Sequence, residues 1–196
     1  ATTLGGFTTA VTYSISDTAT AVAGAGATAL NEAVNITATG TATVAQATTI
    51  DAAINGGSNT YSLNDTASNL AAASGSVLSG ATAISTSGTT AAAADLNTID
   101  GASTVALNAA SVTTLTGLAA DVITAFGAGT AGTITGLGNE AVTLSGSTSV
   151  ADANSVDGST SGVITATISE TNITSLSGLS GTGNAYTISV ADASVD

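Results

Sequence analysis

The sequence contains no lysine, arginine, histidine, cysteine, methionine, proline or tryptophan. Each absence removes a class of function. Nucleic-acid binding rests on Lys and Arg neutralising phosphates, so a nucleic-acid partner is excluded. Attachment to an anionic membrane surface needs the same residues and is excluded with it. No side-chain ion pair can form, and trypsin-type proteases have nothing to cut. Without cysteine there are no disulfides and no thiol chemistry, and the redox compartment leaves no mark on that side. The chain shows no basic leader of a secretory signal and no apolar run of the ~18 residues a membrane span requires. Its first residue is alanine, as expected of a processed product or a part of a longer chain.

What remains is 196 residues with 13 acidic groups and a net charge of −13. That repulsion has to be relieved by screening, by spacing the charges or by bound cations. The hydrophobic fraction is 43%, but it includes only two Phe and three Tyr. Such a chain fills a thin core of stacked small and β-branched residues better than a wide globular one. The abundance of Val, Ile and Thr argues against disorder, which goes with few β-branched residues.

A short apolar strand-like segment recurs along the chain. Its anchors are Ile15, Ile36, Leu63, Ile84, Leu107, Ile123, Leu144, Ile164 and Ile188, a period of about 22 residues. The early units come in two kinds. Tyr13-Ser-Ile-Ser-Asp17-Thr18-Ala19 matches Tyr61-Ser-Leu-Asn-Asp65-Thr66-Ala67, with a looser copy opening at Tyr186-Thr-Ile188. Val34-Asn-Ile36-Thr-Ala-Thr-Gly40 matches Thr82-Ala-Ile84-Ser-Thr-Ser-Gly88. Asp-Thr after a strand is a helix-capping pair, and the Ala-rich segments 19–30 and 67–78 that follow are expected to hold short helices. Later units carry an apolar-x-Gly-apolar step, at Leu115-Thr-Gly-Leu118, Ile134-Thr-Gly-Leu137 and Leu176-Ser-Gly-Leu179, and read as strand–turn–strand. Leu4-Gly-Gly-Phe7 is the same step.

The expected fold is therefore one β-solenoid domain over residues 1–196: parallel, right-handed by the general rule for crossovers, of about nine rungs, with helical turns in the Ala-rich rungs. The alternative is an α/β solenoid like that of leucine-rich repeats. Residues 1–11 and 185–196 read as complementary half-rungs. Leu4, Phe7, Tyr186 and Ile188 are the residues expected to meet when copies join head to tail.

No catalytic constellation stands out, and the chain is not expected to be an enzyme. The closest carboxylate pairs, Asp95/Asp100, Asp152/Asp157 and Asp192/Asp196, look like a feature of the repeat and not one site. Calcium is the one ion the sequence suggests, because hard cations prefer oxygen ligands. Its candidate ligands are Asp17 with Asp65, and Asp51 with Asp100 and Asp157; the same residues also read as caps and turns. The three Tyr are expected to stack on one sheet edge. Glycosylation triplets begin at Asn35, Asn64 and Asn172. Thr37-Ala-Thr39 has ice-binding spacing but does not recur in every rung.

The units Tyr61-Ser-Leu-Asn-Asp-Thr-Ala-Ser-Asn-Leu70 and Thr41-Ala-Thr-Val-Ala-Gln-Ala-Thr-Thr-Ile-Asp51 resemble repeats of very large secreted or cell-surface proteins of cyanobacteria and other Gram-negative bacteria. The resemblance implies an extracellular structural role as sheath, filament or surface layer, often with calcium. The chain is expected to pair with itself. The second expectation is an adhesin or carbohydrate-binding stalk whose partner is a cell-surface polysaccharide.

Overall fold

The computed structural model describes residues 12–190. The expected assembly residues Leu4 and Phe7, and most of the two half-rungs, lie outside them.

Strand β1 (Ile15–Thr18) runs into helix α1 (Ala19–Ala23), followed by α2 (Ala27–Glu32). β2 (Ile36–Ala42) leads to α3 (Val44–Asp51). β3 (Asn59–Thr66) leads to α4 (Ala67–Ala71) and α5 (Gly75–Gly80). Next come β4 (Ile84–Ser87), β5 (Thr90–Ala92) and α6 (Ala93–Ala102). Then follow β6 (Leu107–Asn108), β7 (Thr114–Gly117), α7 (Ala119–Ala131) and β8 (Ile134–Thr135). The described chain closes with β9 (Ala141–Thr148), α8 (Val150–Asp157), β10 (Ile164–Ile168), α9 (Ile173–Leu176) and β11 (Ala185–Ile188).

Among the described residues the strands form two parallel sheets. One has six strands in the order β1-β2-β3-β4-β6-β8, the other five in the order β11-β10-β9-β7-β5. Helices of successive repeats pack on one another, α1 on α3, α4 on α6, α6 on α7 and α7 on α8.

Helices α1, α3, α4 and α8 start where they do because the last strand residue, or the one after it, is a hydroxyl cap, whereas α6 and α7 follow Ala92 and Leu118 with no side-chain cap. Thr18 Oγ1 accepts from Ala21 N, and Thr66 Oγ1 from Asn69 N, each at 3.2 Å. Thr43 and Gln46 form a reciprocal capping box, and Ser149 Oγ accepts from Asp152 N at 3.0 Å. Strand therefore passes into helix without a loop. Gly40, Gly88 and Gly146, at φ of 74°, 87° and 73°, make the bends that side chains disfavour; at Gly40 the register of β2 on β3 slips.

The core is a set of rows. The register sets Leu63 beside Ile84, Ile84 beside Leu107 and Leu107 beside Ile134. In the second sheet Ala91, Leu115, Val142 and Ile164 form the matching row. Ile84 is 2% exposed and the other three members of the first row 1% or less. Burying a Leu or Ile side chain contributes about 1.5–3 kcal/mol, so such rows supply much of the cohesion.

The expected β-solenoid is overturned: this is an α/β fold of two parallel sheets with nine helices among the described residues. The reason is clearest in the later units, expected to be strand–turn–strand. They hold the longest helix described, α7, whose helical spacing buries Val122, Ala125 and Phe126. Ile123, expected as a strand anchor, lies on that helix, and Leu107 pairs instead with Ile134. The apolar-x-Gly-apolar step is not one structure either. Leu115 is in β7, Ile134 in β8, and Leu176 ends helix α9.

Candidate assembly edges and acidic side chains

With no cationic side chain, every carboxylate must take its donors from the backbone, hydroxyls, phenols or amides. Asp65 lies one residue before the cap Thr66. Its Oδ1 accepts from Thr66 N (2.8 Å) and Asn69 Nδ2 (2.7 Å), and its Oδ2 from Val44 N at 3.0 Å. Val44 is the first residue of α3, in the preceding repeat. Glu170 does the same for α8: both its oxygens lie 3.1 Å from the N–H of Val150, the first helical residue. The first N–H groups of a helix have no partner within it and carry partial positive charge, so a carboxylate from the next repeat suits them.

Desolvation pushes the Asp65 carboxyl upward, but the hydrogen bonds from Asn69, Val44 and Thr66 outweigh it and hold it below its ordinary value. The Val150 N–H, opposed by slight desolvation and helped by Glu170's own N–H and Ser169, holds Glu170 below its ordinary value.

Asp51 and Asp157 end α3 and α8, and Asp100 lies in the last turn of α6. Each follows a fully buried apolar residue, Ile50, Val156 or Ile99. The apolar member faces the core and the carboxylate meets a donor further along the chain. Asp51 accepts from Ser76 Oγ (2.9 Å) and Tyr61 Oη (3.3 Å), Asp100 from Thr133 Oγ1 (3.1 Å), and Asp157 from Asn184 Nδ2 (2.6 Å). Asp17 is exposed and accepts from Thr18 N at 2.7 Å. The five carboxylates considered for calcium are thus spread over separate repeats. Among the described residues no three acidic side chains gather as a metal-holding group.

The tyrosines divide. Tyr13 donates to the Ala29 carbonyl (2.8 Å) and Tyr61 to the Val77 carbonyl (3.0 Å), each 16 residues further on. Tyr61 is 1% exposed, and burial, with the charge and hydrogen bond of Asp51, pushes its phenol far above the usual range. Tyr186 lies in β11 of the other sheet, where its oxygen accepts from Asn184 Nδ2 at 3.0 Å. Desolvation and the charge of Asp157 raise its phenol too, against the Asn184 hydrogen bond. The sequon asparagines are engaged: Asn35 Oδ1 accepts from Ser58 N, Asn64 Nδ2 donates to Ser85, and Asn172 caps α9.

The two ends of the described stack differ from its interior. Among the described residues β1 pairs only with β2 and β11 only with β10; the other edges of the two sheets, β8 and β5, lie in the middle of the chain. Past β10 three apolar side chains stand out of an otherwise polar surface, Ile173 50%, Ile188 41% and Val190 49% exposed. Beside this end lies an open cleft of about 370 Å³, lined mainly by Gly, Thr and Ser residues with one carboxylate, Asp157.

Glu140 and Glu170, two of the acidic residues the sequence reading passes over, both hold backbone N–H groups. Glu140 is fully buried; its Oε2 accepts from Gly138 N (2.8 Å) and Asn139 N (3.1 Å), tying the turn before β9, while its Oε1 has no partner. Glu170 had a readable signal, since it lies 20 residues after Val150 much as Asp65 lies 21 after Val44.

No protein-family model, curated protein or solved structure matches the chain.

Proposed function

We propose that the chain is an extracellular structural element that assembles head to tail with further copies of itself into a filament, sheath or surface layer. One observation carries this reading: among the described residues β11 is hydrogen-bonded on one side only, and Ile188 and Val190 beside that edge are exposed. An unpaired edge of that kind is a template for another strand unless charge, proline or a covering element blunts it. The sequence has no proline and no lysine, two of the usual means. The high negative charge keeps the flanks of neighbouring filaments apart while the ends join. The resemblance to repeats of large secreted bacterial proteins agrees with this role and location.

Sedimentation velocity and negative-stain electron microscopy of the 196-residue chain test it. The expected result is concentration-dependent growth into unbranched filaments or sheets. A single monomeric species at the highest soluble concentration would overturn it.

A further inference from the structure

A contact made twice inside the molecule is left half-made at each end of the described stack. In the first instance Asp65 takes the N–H of Val44, which follows the cap Thr43. In the second Glu170 takes the N–H of Val150, which follows the cap Ser149. The strand register is the same in both. Leu63, two residues before Asp65, pairs with Ala42, two before Val44. Ile168, two before Glu170, pairs with Thr148, two before Val150.

One half of this contact stands at β1. Asp17 occupies the place of Asp65 in the matching Tyr-Ser-x-x-Asp-Thr-Ala unit, and its Oδ1 takes the next Thr N–H as Asp65 Oδ1 does. Among the described residues no helix precedes it. The other half follows β11. Ser189-Val-Ala-Asp-Ala193 repeats Ser149-Val-Ala-Asp-Ala153 residue for residue. The N–H of Val190, the counterpart of Val150, has no acceptor among the described residues.

We infer that, in the head-to-tail joint, Asp17 of one copy accepts the Val190 N–H of the preceding copy. The shared register then places Ile15 of the one beside Ile188 of the other. This rests on the self-assembly reading and adds to it the residue that keys the joint, its polarity and its register. Two apolar β-branched residues meet side by side, as Ile15 and Ile36 do within the chain, and a carboxylate fixes them against a slip of one residue, which would turn every side chain to the other face.

The chain has no cysteine, so the register can be read by disulfide trapping. Neighbouring strands lie about 4.8 Å apart, within disulfide reach. The variant Ile15→Cys with Ile188→Cys should give, on oxidation, a ladder of covalent multimers on a non-reducing gel. Ile15→Cys with Thr187→Cys, one residue out of register, should not. Asp17→Ala, and separately Val190→Pro, which removes the N–H together with the Val side chain, should each raise the concentration needed for assembly at least about tenfold, the scale of one lost charge-assisted hydrogen bond. Combined, they should cost no more than either alone. Circular dichroism and thermal melting of the monomers serve as the control that each variant folds. If the unaltered chain never assembles, the self-assembly reading fails. If it assembles, Asp17→Ala assembles equally well and the in-register cysteines do not cross-link, self-assembly stands and the keyed joint is overturned.

Discussion

Tyr61 shows how much one polar atom contributes in a core this thin. Its ring fills the interior while its hydroxyl ties the Val77 carbonyl and the Asp51 carboxylate. Tyr61→Phe leaves that buried carbonyl short of a donor, and urea unfolding should show a loss of about 1–3 kcal/mol. Because the folded phenol lies above its ordinary value, its contribution is complete below the unfolded value near pH 10 and is lost as pH rises beyond it. Stability of the unaltered chain should fall above about pH 10, and less so in Tyr61→Phe. Asp65 and Glu170 behave in the opposite sense. Both carboxyls lie below their ordinary values, so what they contribute is present above the unfolded values and is lost as pH falls through the folded ones. The urea midpoint should drop below about pH 4, and Asp65→Asn, which keeps an acceptor but not the titration, should flatten that decline.

At the scale of elements, the joints between strand and helix are the most legible part of the sequence. Asp17-Thr18 and Asp65-Thr66 announce caps, and Thr18 and Thr66 cap α1 and α4. Thr43→Ala should lower stability by about 1 kcal/mol in a thermal or urea melt, since it removes one side of a capping box. Anchor spacing foretells the pairing of Ile15 with Ile36 and of Ile84 with both Leu63 and Leu107, though Ile36 itself pairs onward with Asn59 and not with Leu63. It fails at Ile123 because Val122, Ala125 and Phe126 follow a helical period that outweighs the glycines of α7. Nor does spacing reveal close approaches of backbone. At Gly136, with φ of 87°, a Cβ would lie 2.6 Å from the Ala110 Cα. Gly136→Ala should therefore destabilise by about 2–4 kcal/mol through combined strain and overlap, read as a lowered melting temperature. The acidic residues read as caps and turns: Asp17 and Asp65 do stand beside caps, though the capping oxygens are those of Thr18 and Thr66, and Asp51, Asp100 and Asp157 lie at helix ends. Their cross-repeat partners were not legible, because those contacts depend on register, which composition does not fix.

For the whole molecule, a charge of −13 with no cation means that added salt can only relieve repulsion between side chains. The melting temperature should climb between 10 and 200 mM sodium chloride, and sodium and potassium should act alike if simple screening is the cause. The two sheets are also offset along the chain. The stretches β4–β5, β6–β7 and β8–β9 place strand in both sheets, whereas β1 stands at the edge of one and β11 at the edge of the other. A filament of such units would be doubly braced at the middle of every subunit and singly braced near every junction. Stretched under tension, it should lengthen in steps that begin beside the junctions, and its central amides should be the last to exchange with heavy water.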